Sequence, residues 1–466
     1  MSGTARSAAI PRILISAGAS GSGKTTITSG LLRCLSNKGI ATIAYKCGPD
    51  YIDPMFHKTV LGIPCRNLDL FFSSEGEVRT LMAESSSGYG VAVVEGVMGF
   101  YDGLGGSSAQ ASAYHVARTT GTPVILVVDG RGVSLTLAAT IKGLIDFREG
   151  SNIAAVIINR CSKALFEHLK PIIESECGIK ALGYVENSPE MALESRHLGL
   201  VTAGEIDDLQ ARIDAMASRL EASIDFDALL EIASSAEPID FEPSNVEPLA
   251  TPEGAPCIAV AQDDAFCFYY EESLEHLRRL GARIVPFSPI ADNKLPAEAD
   301  ALYIGGGYPE LHAEELSNNL TMLESIRRVH RDGMPIFAEC GGFMYLKERM
   351  ADLDGREFEM VGILSGGAHY TGKLTRFGYV DLEAKADGLG ITKGCRMRAH
   401  EFHYYDSDDN GSAMHASKKH SKRNWDCCIA EERLFAGFPH LYLPACDEFA
   451  RGFVDAAIEF RAKRLG

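Results

Sequence analysis

The chain has 466 residues, 46% hydrophobic and 23% charged, with a formal net charge of −18; this is ordinary globular composition in a chain too long for one core, since domains usually run to roughly 100–200 residues. So acidic a balance argues against nucleic acid as a partner, because phosphate binding needs a basic field, while a locally basic pocket for an acidic small molecule stays open. No apolar run approaches the roughly 20 residues of a membrane helix, the N-terminal stretch lacks an apolar signal core, and the twelve cysteines form no paired CxxC set, so a reduced, cytoplasmic setting without a membrane partner is expected.

In chain order, residues 13–17, 42–45, 91–95, 124–129 and 153–159 are β-branched and almost continuously apolar, the pattern of strands buried on both faces of a parallel sheet. Helical patterns at 26–35 and 136–145 lie between them, which predicts an α/β, doubly wound parallel sheet with right-handed crossovers. A long amphipathic stretch at 207–232 closes this half. Residues 237–256 then carry five prolines among several acids and read as a linker. The α/β rhythm resumes with strands expected at 257–261, 283–287, 301–304 and 336–338, and antiparallel strands at 359–364 and 377–383. The predicted domains are therefore 1–236 and 257–466, joined by 237–256.

Gly18-Ala-Ser-Gly21-Ser22-Gly23-Lys24-Thr25 follows the first strand and opens a helix, the context that the phosphate-binding motif G-x4-G-K-[ST] requires. Glycines let backbone N–H groups turn towards phosphate oxygens, and the helix N-terminus adds favourable partial charge. Lys24 can reach the β- and γ-phosphates of ATP, and the Thr25 hydroxyl can ligate Mg²⁺. Mg²⁺ also favours carboxylates. Glu95 ends the strand at 91–95, and Asp50 and Asp53 follow the strand at 42–45, so all three face the ligand-binding edge of the sheet. Taken singly, each acid reads as a solvated loop carboxylate. Asn159 ends a further strand, where its amide can read a nucleotide base or simply form a turn.

In the second half, Glu339-Cys340-Gly341-Gly342 follows a strand and precedes a helix, and a nucleophile on such an elbow is exposed with the next N–H aimed at the attacked oxygen. A helix N-terminus lowers a thiol's pKa, which predicts a reactive Cys340; a buried core cysteine is the bland alternative. Gly306 and Gly307, after the strand at 301–304, are candidates with Gly341 for an oxyanion hole. The thiol needs a base, and spacing leaves His400, His403 and His440 all open.

Taken together, the segments KCGPDYIDPMFH, NLDLFF, VVEGVMGFYDG, LVVD, VIINR and RHLGL, then AVAQDDAFCFYY, YIGGGYPE, FAECGGFMYL, RAHEFHYYD and FPHLYLP, resemble the cobyrinate a,c-diamide synthase family over nearly the whole chain. The resemblance implies a P-loop synthetase domain fused to a class I-like glutamine amidotransferase domain. It implies that ATP phosphorylates the a and c carboxylates of cobyrinate, with ammonia from glutamine hydrolysed at Cys340. It also implies that His440 activates the thiol, leaving the HEFHY segment to the domain junction or the substrate side. Related glutaminases carry a Glu two residues after this His, where the present chain has Tyr442. Asp50, Asp53 and Glu95 are assigned by the resemblance to metal and intermediate binding. Lys46, Arg66, Arg196 and His197, cationic or nearly so within matched motifs, are candidates for the substrate carboxylates. Hydrogenobyrinate and nickel sirohydrochlorin are alternative acceptors for the same chemistry. A nucleotide switch of the partitioning-ATPase type would carry a second lysine early in the P-loop, but residue 19 is alanine. A homodimer is the assembly carried forward.

Overall fold

The structure, a computed structural model, describes residues 6–187, 203–419 and 421–466 and divides into two compact units, Met1–Ser244 and Asn245–Gly466. The first unit opens with β1 (Arg6–Ala8), β2 (Arg12–Ala17), α1 (Lys24–Asn37), β3 (Thr42–Cys47), α2 (Ile52–Leu61), β4 (Cys65–Leu68), α3 (Glu75–Ser85) and β5 (Val91–Glu95). It continues through α4 (Ala113–Thr120), β6 (Val124–Asp129), α5 (Thr136–Asp146), β7 (Ile153–Asn159), α6 (Lys163–Cys177), β8 (Lys180–Val185), α7 (Ala203–Ser223), α8 (Phe226–Ser234) and β9 (Ile239–Phe241).

Seven strands form a parallel sheet in the order β4-β3-β5-β2-β6-β7-β8. Every residue of β2, β3 and β5 is buried, as their apolar runs require of strands covered on both faces. The two sheet edges, β4 and β8, carry polar residues and were not legible as strands: β4 is Cys-Arg-Asn-Leu, and β8 begins at an exposed Lys180.

Two expectations change here. The amphipathic stretch at 207–232 is two helices, because Ile224 bridges to Gly183 of β8 and Asp225 caps α8 through Ala228 N at 3.0 Å. Residues 239–241, inside the segment read as linker, form β9 and pair antiparallel with β1, with Ile239 buried. Five prolines mask a strand only three residues long.

The second unit runs β10 (Cys257–Ala261), β11 (Phe266–Phe268), α9 (Glu271–Arg279), β12 (Arg283–Phe287), β13 (Ala301–Ile304), β14 (Gly306–Gly307), α10 (Ala313–Asn318), α11 (Leu320–Arg331), β15 (Ile336–Glu339) and α12 (Gly341–Leu346). There follow β16 (Lys347–Ala351), β17 (Glu357–Glu359), β18 (Leu364–Tyr370), β19 (Arg376–Ala384), β20 (Arg396–His403), β21 (Tyr405–Ser407), β22 (Met414–Ser417), β23 (Asn424–Cys427), β24 (Ile429–Glu431), β25 (Leu434–Gly437), β26 (His440–Leu441) and α13 (Asp447–Leu465). Its main sheet has the order β12-β10-β13-β15-β25-β24, parallel except for β24. A second sheet, β23-β22-β19-β20-β26, brings its edge strand β26 beside the end of β15. The strand expected at 359–364 is instead the turn between β17 and β18: Met360 and Val361 drop into the core, and Gly362 adopts φ 70°.

Candidate active sites

In the first unit the strand ends deliver the chemistry. Register sets Lys46 of β3 and Ile15 of β2 on either side of Glu95, and Asp129 of β6 beside Asn159 of β7. The chain leaving β2 becomes the P-loop, in which Gly23 adopts φ 93°. A Cβ there would lie 2.2 Å from Asn159 Nδ2, so only glycine fits. The Asn159 amide donates to Ser22 O at 2.8 Å and its Oδ1 accepts from Arg160 N at 2.9 Å. Sequence offered a base reader or a turn former; the fold makes Asn159 a brace for the loop. Arg160 adds a second brace, donating to Gly21 O at 2.8 Å and to Asp129 at 2.6 Å.

Lys24 Nζ donates to Met98 O at 2.6 Å and to Ala19 O at 3.2 Å. Burial lowers its pKa, Lys46 adds to that, and Glu95, Asp102 and Asp53 oppose it. The Thr25 hydroxyl donates to Glu95 Oε1 at 2.6 Å, so two of the three residues predicted for a metal are in direct contact.

Glu95 is 1% exposed, and a carboxylate so buried must be paired. Lys46 Nζ donates to it at 2.9 Å and His57 Nε2 lies 3.2 Å from its other oxygen. Burial pushes the Glu95 carboxyl up, but Lys46, the His57 and Thr25 hydrogen bonds and the His57 charge outweigh it, leaving it well below the usual carboxylate range. Lys46 also bonds Asp53, and Asp50 lies 3.8 Å away. One cation cannot hold every neighbouring acid ionised, and burial pushes Asp53 up to about 8. Asn67 of β4 fixes this loop by donating to Gly48 O and Asp50 O at 2.9 and 2.8 Å. His57 and Asn67 were not assigned from sequence, although both sit in the quoted segments. Among the described residues, no group of three or more His, Cys, Asp or Glu side chains is arranged to hold a metal. Mg²⁺ bound through one or two protein oxygens and nucleotide phosphates needs no such group. Arg66 lies on β4 opposite Tyr45. Arg196 and His197 lie outside the described residues.

In the second unit Cys340 stands between β15 and α12 with φ 47° and ψ −103°, the strained elbow that its sequence context suggested. Gly306 sits against both partners of the expected dyad. A Cβ there would lie 2.5 Å from His440 Cε1 and 3.5 Å from Cys340 Cβ, so glycine is what allows thiol and imidazole to share this place. The backbone N–H of Gly341 favours the ionised form of the Cys340 sulfur.

The expectation of an acidified thiol does not hold. Burial pushes the Cys340 thiol far up, Glu310, Glu401 and Glu339 add to it, and the Gly341 N–H opposes them too weakly. The six-residue α12 cannot offset that desolvation. Burial, then the charges of His400 and His403, push His440 down to about 3. The resting pair is therefore a neutral thiol beside a neutral imidazole, which is the form that accepts a proton.

Tyr442, in the position of the family's glutamate, is buried and packs edge-on against Tyr270 at 5.4 Å. A different acid ties the dyad together. Glu339, the residue before Cys340, accepts from Leu441 N at 2.6 Å and from Tyr303 OH at 2.7 Å, joining the strand end that carries the thiol to the strand that carries the imidazole. Burial raises its carboxyl to about 8. The HEFHY segment also borders this centre. His400 pairs in register with His440, and buried Glu401 bonds His403 at 3.0 Å, with His403 stacked on Phe438. Only pairing of β20 with β26 brings these together, which no linear motif records.

Two outcomes follow from this geometry. Alkylation of Cys340 by iodoacetamide, followed by mass spectrometry across pH, should stay low through about pH 8.5, where an ordinary thiol ionises, and rise only at higher pH, because burial pushes this thiol up. An inflection below pH 7 would show a resident thiolate. Glu339→Ala should lower glutamine hydrolysis about 10–100-fold, the range for partners that orient a reacting group, with the nucleophile itself intact. Unchanged steady-state ammonia release would remove Glu339 from that role.

Residues 13–201 match the family model of the CobQ/CobB/MinD/ParA nucleotide binding domain, and residues 257–446 that of the CobB/CobQ-like glutamine amidotransferase domain. The cobyrinate a,c-diamide synthase of Listeria innocua is 39% identical over 437 residues, covering 92% of this chain and 96% of the relative. That of Caldanaerobacter subterraneus is 38% identical over 458 residues, covering 97% and 100%. That of Salmonella typhimurium is 39% identical over 444 residues, covering 94% and 96%. With a nucleotide-binding unit and a glutamine amidotransferase unit matched in order along one chain, the protein belongs to the cobyrinate a,c-diamide synthase family of glutamine-dependent amidotransferase ligases.

Proposed function

We propose that the protein amidates the a and c side-chain carboxylates of cobyrinate, using ATP to activate each carboxylate and glutamine to supply ammonia. The observation that carries this reading is the pairing, on one chain, of a braced P-loop with a Cys340–His440 centre. In the first unit the P-loop N–H groups and Lys24 hold the phosphates, so that an acceptor carboxylate oxygen attacks the γ-phosphorus and ADP leaves. The product is an acyl phosphate. Ammonia then attacks its carbonyl carbon and phosphate departs. Thr25, with Glu95 and Asp50, would hold Mg²⁺, which when bound supplies charge neutralisation across the β- and γ-phosphates. Lys46, held among Glu95, Asp53 and Asp50, keeps those acids oriented until the ion is present.

In the second unit His440 takes the Cys340 proton as the sulfur attacks the glutamine amide carbon. The oxyanion is met by N–H groups of Gly341 and of the Gly306–Gly307 turn. Ammonia leaves with the proton from His440, and water hydrolyses the glutamyl thioester. Because both dyad members rest neutral, that proton transfer accompanies attack instead of preceding it.

Cys340→Ala should lose glutamine-driven amidation by on the order of 10⁴-fold while retaining synthesis from ammonium salts, and Lys24→Ala should lose product from either nitrogen source; mass-spectrometric counting of amidations checks both. If both variants fail with ammonium salts, the division of labour between the units is wrong. The acceptor is tested by offering cobyrinate, hydrogenobyrinate and nickel sirohydrochlorin in parallel with MgATP and glutamine. Two additions to cobyrinate, with the others poor, are expected. Two additions to another acceptor alone would reassign the substrate.

A further inference from the structure

The imidazole of His440 has to meet the Cys340 sulfur, yet β26, the strand that carries it, is only two residues long. Its neighbours in the chain are tied down on either side. Before it, Gly437 of β25 pairs in register with Glu339, and its carbonyl accepts from Cys340 N at 2.8 Å. After it, Leu441 N donates to the Glu339 carboxylate at 2.6 Å. Between these anchors Phe438 and Pro439 lead the chain into His440.

A side chain of the HEFHY segment lies on that connection. The His403 ring stacks on the Phe438 ring with centroids 4.1 Å apart and planes inclined by 11°. Phe438 also meets the Phe343 ring of α12, the helix that starts directly after Cys340, at 5.2 Å and 76°. Phe438 is 2% exposed, so it is packed between the histidine and the elbow helix in the core of the unit.

His403 is itself locked. Its Nδ1 lies 2.7 Å from Tyr405 O and its Nε2 3.0 Å from Glu401 Oε2. A carbonyl oxygen only accepts, so Nδ1 carries a hydrogen, and a flipped ring would forfeit both interactions. Glu401 is fully buried and accepts in addition from Trp425 Nε1 at 3.3 Å. Groups so buried have no water to replace a lost partner, which holds the plane of the His403 ring where the stack needs it. A buried His–Glu pair can also serve only to close the core at the end of β20. That use accounts for the hydrogen bonds, but not for a face-to-face stack on the residue two places before His440.

We propose that His403 is a positioning residue for glutamine hydrolysis: fixed by Glu401 and Tyr405 O, it clamps Phe438 and so sets the His440 imidazole against the Cys340 thiol. This rests on the reading of Cys340 and His440 as the pair that attacks glutamine. The clamp fixes the chain ahead of the base, and the Glu339 bond to Leu441 fixes it behind. It acts on the placement of the base and gives His403 no contact with glutamine, so it governs turnover and not binding.

The experiment measures kcat and KM for glutamine hydrolysis in the wild type, His403→Gln, Phe438→Leu and the double variant. Each single change removes the stack from one side, and His403→Gln keeps an amide N–H for Glu401. Each should lose about 10–100-fold in kcat, the range for groups that orient a reacting side chain, with KM close to the wild-type value. The double variant should lose no more than the worse single, because a stack broken from one side is already gone. Losses that multiply in the double variant, a KM that rises as far as kcat falls, or an unchanged kcat would each overturn the clamp and leave the glutaminase reading standing. A wild-type chain that releases no ammonia from glutamine would overturn that reading and the clamp with it. Should His403→Gln not fold, Phe438→Leu decides alone: a kcat loss at constant KM supports the clamp, and any other result counts against it.

Discussion

The synthetase unit is organised by a carboxylate that has no water to fall back on. Glu95 ends a strand whose every residue is buried, and an ion in that place is tolerable only with a counter-charge and hydrogen-bond donors on its lone pairs. Each donor comes from a different element: Lys46 from β3, His57 from α2 and Thr25 from α1. Satisfying one acid therefore fixes the relative placement of a strand, two helices and the P-loop. The parallel register makes this possible, since it sets Lys46 directly across from Glu95. The same interaction gathers three carboxylates, Glu95, Asp53 and Asp50, around Lys46.

The glutaminase unit meets a related constraint with a different outcome. Its candidate nucleophile is desolvated and influenced by nearby acids, so the elbow positions the sulfur without ionising it. Strained φ at Cys340, glycine at 306 and the Glu339 bridge to Leu441 all serve position, not acidity. Activation is left to an imidazole kept neutral by burial and by neighbouring histidines. A protonated thiol is less open to adventitious oxidation than a thiolate, so the reactive form arises only with a substrate to receive it.

Several features could be read from linear sequence because they depend on local chemistry. The strands at the centre of the first sheet are apolar up to their last residue, so β5, β6 and β7 fall where their composition places them. The P-loop and the cysteine elbow are each a short run whose glycines have a local steric purpose. The sheet edges were harder, since an edge strand such as β4 is only four residues long and places two adjacent polar residues, Arg66 and Asn67, at its middle. The break between α7 and α8 was hidden for a similar reason: amphipathic periodicity continues across it, and only the bridge from Ile224 to Gly183 shows why the chain must turn.

Sequence by itself thus determined the family and the order of the nucleotide-binding and glutamine amidotransferase units, and it singled out the candidate phosphate-binding loop and nucleophile. These follow from residues adjacent in the chain, where spacing and conformation are one thing. Tertiary structure alone decided which side chains complete each site. Asn159 became a brace, Glu339 a tether, and the HEFHY histidines neighbours of Cys340 and His440, because strands far apart in sequence pair in register. It also decided the protonation states, for the balance of desolvation against nearby charge depends on burial and distance, and neither is written in the order of residues.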